Sequence, residues 1–511
     1  MPTRHLSIAL AAAEEVRDEL AALRVELGLP AMFPPEVMAE AEAAVGRDLA
    51  TAAGDKRADR RDLPLVTIDP PGSMDLDQAV FIKATEKGFL VNYAIADLAA
   101  FVEPGGALDR ETNRRGCTIY GPDARTPLHP KILSEGAASL LPGEDRPAAL
   151  WSIELDHDGA IGTAWVERAT VRSRARLTYG EVQAALDDGT ADESLKLLRA
   201  VGMLRQSQEA ERGGVSLDVP EQEVTLQPDG TFALKIRSTL PVEGWNAQIS
   251  LMTGIVAAEI MREAGVGILR TLPPADPRDL ARLHRIAAAL EIPWPDSMPY
   301  SGLIAKLDSR RPHHAAFLNE ATTLFRGAGY LPFGVPAGEP KRPDDPAAGT
   351  LVELPAGGAP HSAIAAEYAH VTAPLRRLVD RYGTEVCLAQ CSHGRIPEWV
   401  RAGLAGLPTA MSGAAATAGV FERAAVEIVE AALLQHRIGQ RFDGVVVEVS
   451  ERKDGAPPTR GEVLLRDPAV RARVDLAEPG ASGTAGLPLG ERVRVTLAVA
   501  DVKQREVRFT L

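Results

Sequence analysis

The chain is poor in cysteine, in positive charge and in long apolar runs. It has three cysteines, Cys117, Cys387 and Cys391, in 511 residues. So few, in odd number and without a framework spacing, exclude a disulfide scaffold and point to a reducing cytoplasm. A zinc site from Cys387, Cys391 and His393 lacks an evident fourth ligand, and the two cysteines also fit one face of an apolar helix. No apolar run approaches the roughly 18 residues that span a bilayer, so no membrane partner is expected. The N-terminal Met1–Ala13 resembles a leader but runs in helical register into Glu14, Glu15 and Arg17, and reads as structure. The net charge is −14, the wrong sign for a protein coated in nucleic acid. Any RNA or DNA must therefore meet a local basic channel. Candidate clusters are Lys56–Arg61, Arg168 with Arg172, Arg174 and Arg176, and Arg376, Arg377 and Arg381.

The length calls for two or three domains. Residues 6 to 27 pattern as an amphipathic helix on Ile8, Val16, Leu20, Leu23 and Leu27, ended by Gly28 and Pro30. Pro34-Pro35 opens a second helix to about Val45. These form an N-terminal helical unit over 1–60, either helix-turn-helix-like or a cap on the next domain. Strands are expected at 65–68, 79–82, 89–95, 149–155 and 161–172, and helices at 178–212, 242–264, 277–290, 312–326, 374–390 and 411–438. Residues 335–360 are Pro/Gly-rich, an excursion from the body. This order is α+β, with a central domain over 61–438. Five short strands after 439, at 442–450, 461–465, 473–476, 492–497 and 505–511, fit a small OB-type barrel. The barrel is short of aromatics, so any base-stacking platform on it is thin.

What is present in abundance is negative charge in one turn. Thr67-Ile-Asp-Pro-Pro-Gly-Ser-Met-Asp-Leu-Asp-Gln78 places Asp69, Asp75 and Asp77 within nine residues. Carboxylates so close repel unless a cation lies among them. Hard oxygen ligands suit Mg²⁺, the usual metal of phosphoester chemistry. A calcium loop is not matched, since the central glycine and terminal glutamate of that motif are missing. An Asp-rich turn capping backbone amides is the plainer alternative. A second constellation is Glu367–Asp380, where Thr372 and Pro374 suggest a helix start from which Arg376 and Arg377 grip a phosphate; an ordinary helix with an Arg376–Asp380 pair is the alternative. A third is Arg114–Tyr120 with Gly121-Pro122, where Tyr120 at a strand end is able to stack on a base.

In order and content these stretches resemble the ribonuclease II/R (RNB) family. Its signature opens Ile-Asp-Pro, with aspartates six, eight and nine positions on; Asp69, Asp75 and Asp77 match, and Gln78 stands at the ninth. Ala94–Ala99, Leu108–Arg110, Thr118–Pro122, Leu141–Arg146 and His370–Arg377 extend the likeness, which covers about residues 60 to 511. The resemblance implies an RNB-type catalytic domain with a C-terminal OB-fold. The implied activity is Mg²⁺-dependent (Mn²⁺ is a second choice), processive 3′-to-5′ exoribonuclease action that releases nucleoside 5′-monophosphates. RNA is the implied partner and a monomer the expected state. By correspondence Asp69 and Asp77 hold metal, with Gln78 offering its amide oxygen. Asp75 supports the catalytic site, Arg376 clamps the scissile phosphate, and Tyr120, Arg376 and Arg377 contact RNA. Gln78 removes one charge and predicts weaker metal affinity. The family's glutamate on an internal helix falls near Gln248. About 60 residues cannot hold the family's N-terminal pair of cold-shock barrels, so tolerance of structured RNA is expected. An inactive RNA-binding relative is the alternative.

Overall fold

In the computed structural model the described residues are 10–30, 32–47, 57–217, 221–226, 232–237, 239–308, 311–336, 351–450, 456–465, 470–476 and 486–511. The expectations for residues 6–9, for Lys56 and for most of the 335–360 excursion lie outside them.

A seven-stranded mixed sheet forms the centre. Its order across the sheet is Ala58–Asp59, Ile161–Arg172, Asp145–Leu155, Gly88–Ala96, Gln78–Thr85, Val66–Asp69 and Ala175–Thr178. Successive side chains on a strand point to opposite faces, and both faces here are covered. Val80, Ile82, Val91, Tyr93, Ile95, Trp151 and Ile153 enter one core. The helices Pro241–Ala264 and Leu378–Cys391 bury themselves in that same core. Ala79, Ala94, Ala96, Ala148 and Leu150 enter the other, beneath the helices Pro35–Val45 and Ala107–Arg115. A strand buried on both sides reads as a near-continuous apolar run, as Tyr93–Ala96 does.

The two N-terminal helices serve different cores. Ala13, Val16, Leu20 and Leu23 of Leu10–Glu26 pack with Phe421, Ala425 and Ile428 of the long helix Leu407–Leu434. Pro35–Val45 instead buries Val37, Ala41 and Ala44 in the core behind the sheet. Each caps the body separately. The C-terminal strands, Arg441–Val449, Arg460–Leu465, Arg471–Asp475, Arg492–Asp501 and Glu506–Thr510, close into a barrel around Val446, Val463, Val474, Val495, Leu497 and Phe509. The molecule is therefore α+β with a terminal OB-type barrel. Among the described residues no single helix is long and apolar enough to cross a membrane.

Two differences from the expected helix boundaries bear on the site. The helix expected over 178–212 breaks at Gly189, which takes a left-handed φ of +80°, and restarts where the Asp192 carboxylate accepts the Leu195 amide. The helix expected from 374 begins at Leu378. Thr372 caps nothing; its hydroxyl meets that of Ser250 at 2.7 Å. Residues 372–377 are instead a braced turn, and Arg376 and Arg377 project from its end.

Candidate active site

The acidic turn hangs between two strands. Asp69 ends Val66–Asp69, Pro70-Pro71-Gly72 reverses the chain with Gly72 at φ +82°, and Asp77 immediately precedes Gln78–Thr85. Ser139 fixes the turn from behind. Its Oγ accepts the Leu76 amide at 3.0 Å and donates to the Met74 carbonyl at 2.6 Å.

The carboxylates differ in what compensates them. Asp75 is neutralised directly: Arg125 donates to it at 2.5 Å, and the Tyr120 hydroxyl at 3.3 Å. Tyr120 and Arg125 face each other across the small hairpin Ile119–Tyr120/Arg125–Thr126. Asp77 is buried, 6% exposed, and accepts the Leu375 amide at 2.7 Å, with the Arg376 Nε 3.6 Å away. Burial outweighs both partners and pushes its carboxyl up to about 8, with Asp380 and Asp75 adding to the rise. Asp69 is pushed up to about 6, first by burial and then by Asp75, against the pull of Arg376 and Arg176. The ionised forms of Asp69 and Asp77 are thus left under-compensated by the protein.

Opposite them, the 372–377 turn is tied down from many sides. The Leu375 carbonyl lies 3.1 Å from Nδ1 of His129, a ring held neutral because burial drops its value to about 3. The Ala373 amide donates to Asp380 at 2.7 Å, and the Thr118 amide to the Arg376 carbonyl at 3.0 Å. The Gln78 amide nitrogen donates to the Thr372 carbonyl at 2.6 Å. From this jig the Arg376 side chain extends outward, 47% exposed.

The neighbouring Arg377 behaves oppositely. It forks both oxygens of the fully buried Asp380 at 2.9 Å each, so it is Arg377 rather than Arg376 that pairs with Asp380. An arginine so engaged is a structural element and offers no free fork to RNA. Gln78 likewise has both ends of its amide in use, since the Tyr93 hydroxyl donates to its oxygen. Gln248, on the internal helix, donates to Glu209 at 2.7 Å.

Sequence reasoning missed Arg125, Tyr93, Ser139 and Arg24. Arg24, on the first helix, holds Asp123 with two bonds of 2.6 and 2.9 Å and also reaches the Ala124 carbonyl, so the N-terminal helix braces the hairpin carrying Tyr120 and Arg125. The signal available for Arg125 was its position just past the Gly121-Pro122 turn, opposite Tyr120. Tyr93 stood out only as a hydroxyl inside an apolar strand.

Among the described residues no group of three or more histidines, cysteines, aspartates or glutamates is placed to hold a metal. The donor set still fits a hard divalent cation of the Mg²⁺ type. Such ions are commonly held by one or two carboxylates, with water and substrate phosphate supplying the other ligands. Asp69 and Asp77 are the candidates for that pair; burial is the first cause of their raised values.

The comparisons agree with this architecture. Residues 57–385 match the RNB domain model, and residues 440–511 match the RNase II-type exonuclease C-terminal S1 domain. Ribonuclease R of Acidithiobacillus ferrooxidans is 42% identical over 159 residues, 31% of this chain and 36% of that protein. The chain spans well under half the length of the curated relatives it matches, 36% and 18% for the first two. The apo form of Mycoplasma genitalium RNase R superposes with a TM-score of 0.81 at 20% identity, over 98% of this chain and 78% of that one, which shows a shared fold. Yeast Ssd1, described as a pseudonuclease, superposes with a TM-score of 0.62 at 16% identity, over 82% of this chain and 50% of that one. With its central domain and its terminal barrel both matched, the chain belongs to the RNB-domain family.

Proposed function

We propose that this chain is a divalent-metal-dependent exoribonuclease that removes nucleotides processively from the 3′ end of RNA as 5′-monophosphates. One observation carries the reading: a half-buried and a buried carboxylate, Asp69 and Asp77, sit under-compensated near a rigidly mounted, outward-pointing Arg376. Clustered charge of this kind destabilises a fold and is retained where it serves chemistry.

Asp69 and Asp77 would hold the cation, Mg²⁺ or Mn²⁺, which when bound supplies an activated water and neutralises charge at the scissile phosphate. The remaining tasks fall to the chain itself. Arg376 donates to the phosphate as negative charge develops there. Its turn is fixed by Asp77, Gln78, His129 and Asp380, so no reorganisation is needed at the moment of reaction. Tyr120, 43% exposed, presents a ring for the terminal base, while Arg125 holds Asp75 in place. The reducing compartment inferred from the cysteines and the monomeric state belong to the same proposal. So does tolerance of structured RNA.

A second reading, an inactive RNA-binding relative, is favoured by Asp75 being already paired with Arg125 and by the neutral Gln78. One assay separates the two. The protein is incubated with 5′-labelled RNA, one species single-stranded and one a hairpin with a short 3′ tail, in Mg²⁺ or Mn²⁺, beside Asp77→Asn. Shortening from the 3′ end by the parent alone supports the nuclease, and progress into the stem supports the structured-RNA expectation. Intact RNA in both metals with binding retained supports the inactive relative.

A further inference from the structure

The proposal here rests on the nuclease reading and concerns Gln78, the position of the aspartate motif where the sequence departs from its family. Gln78 faces the Thr372 carbonyl on one side and the Tyr93 hydroxyl on the other. A carbonyl only accepts, so the end of the amide 2.6 Å from Thr372 must be the nitrogen. The oxygen end then faces Tyr93, whose hydroxyl is the donor. Thr372 closes the arrangement by sharing a hydrogen bond with Ser250 at 2.7 Å. Four polar residues from two strands, a helix and the 372–377 turn are thereby linked, and the link depends on a group with a donor at one end and an acceptor at the other. A carboxylate has no donor, and would set negative charge against the Thr372 carbonyl oxygen.

We infer that Gln78 is a positioning residue and not a metal ligand: its amide is the cross-brace that sets the 372–377 turn, and with it Arg376, against Asp77. Adjacent residues divide the task. Asp77 takes the Leu375 amide and Gln78 the Thr372 carbonyl, so one strand start grips the turn at two points three residues apart. With Gln78 turned to Thr372 and Tyr93, and Asp75 held by Arg125, the cation is left with Asp69 and Asp77 as its side-chain carboxylates. Restoring a family-like acid at 78 therefore breaks the brace without adding a ligand.

The test uses Gln78→Glu, Gln78→Asp and Tyr93→Phe in the full chain, each also combined with Arg376→Ala. Three quantities are read: Mn²⁺ affinity of the free protein by equilibrium dialysis, thermal midpoint, and kcat and KM on single-stranded RNA. Mutating such outer partners typically costs about 10–100-fold. Gln78→Glu should lower kcat by about that factor with KM within about threefold, and Tyr93→Phe should lower it less, in the same direction. Mn²⁺ affinity should stay within about threefold in all variants. On the Arg376→Ala background the loss from Gln78→Glu should largely vanish, because a brace for a missing arginine has nothing to hold; a purely structural role would keep its full cost there. A tenfold or greater gain in Mn²⁺ affinity with Gln78→Asp or Gln78→Glu overturns the proposal, as does unchanged kcat and midpoint in Gln78→Glu. Should the parent prove inactive on RNA, the nuclease reading fails by itself. A lowered midpoint with unchanged Mn²⁺ affinity then supports the brace, and a raised Mn²⁺ affinity rejects it. Tyr93→Phe keeps the question open to test if the charged variants do not fold.

Discussion

The acidic turn at 69–77 and the basic turn at 372–380 meet face to face but are built on opposite electrostatic principles. In the basic turn each buried charge has its partner: Asp380 has Arg377 and an amide, and backbone carbonyls at 372, 375 and 376 all accept hydrogen bonds. In the acidic turn, Asp69 and Asp77 have less positive charge around them than their burial demands. On the proposed reading the satisfied region is a mount, and the under-compensated region is where a cation and a phosphate would bind. Local strain at a reactive centre held by a well-satisfied surround is a common division in enzymes.

That contrast is broken most severely at Arg377. Arg377→Ala leaves Asp380 buried without its cation, and breaking a buried pair costs about 3–5 kcal/mol. The expected outcome is a lowered denaturation midpoint with activity lost only as the fold loosens, read by urea unfolding. Arg376→Ala, one residue away, should do the reverse. Loss of a donor to developing phosphate charge is worth about 10²–10³ in kcat. An exposed side chain, by contrast, changes stability by no more than about 0.5 kcal/mol. Steady-state kinetics and unfolding on the two variants decide whether mount and effector are separate.

Next comes pH. The folded-state values of Asp69 and Asp77, about 6 and about 8, lie above the ordinary carboxylate value. Their protonated forms are therefore favoured by folding. The stability they contribute is fully present below about pH 4 and is lost as pH rises through about 6 and then about 8. In EDTA the thermal midpoint should fall by several degrees between pH 5 and pH 9, and Asp77→Asn should flatten the upper part of that fall. The smallest effect is expected at Arg24. Its bond to Asp123 is partly shielded, worth roughly 1 kcal/mol, so Arg24→Ala should leave folding nearly intact. It should loosen the Tyr120 hairpin and raise KM for RNA by about threefold, measured on single-stranded substrate.

Much of this was legible in the sequence. Strand alternation and apolar runs located five of the seven sheet strands and the barrel strands to within a few residues, because burial on a pleated surface leaves a local pattern; the short edge strands Ala58–Asp59 and Ala175–Thr178 carried no such signal. The Asp69–Gln78 turn stood out by charge density, and the resemblance to the RNB family suggested its chemistry. The contacts that assign roles were not legible, because they join distant segments: Asp77 to Leu375, His129 to Leu375, Gln78 to Thr372. Which of Arg376 and Arg377 faces outward depends on a helix that starts at Leu378, later than Pro374 suggested. The strained turn could be read locally, whereas its mount was visible only in three dimensions.

The most direct test of the account is Asp77→Asn, examined in one preparation for thermal midpoint at pH 8 without metal and for cleavage of 5′-labelled RNA with Mg²⁺. The account predicts a midpoint higher than the parent's by a few degrees, near-complete loss of cleavage of about 10³-fold or more, and RNA binding within about threefold. A lower midpoint with cleavage retained would contradict it, since Asp77 would then be an ordinary structural carboxylate.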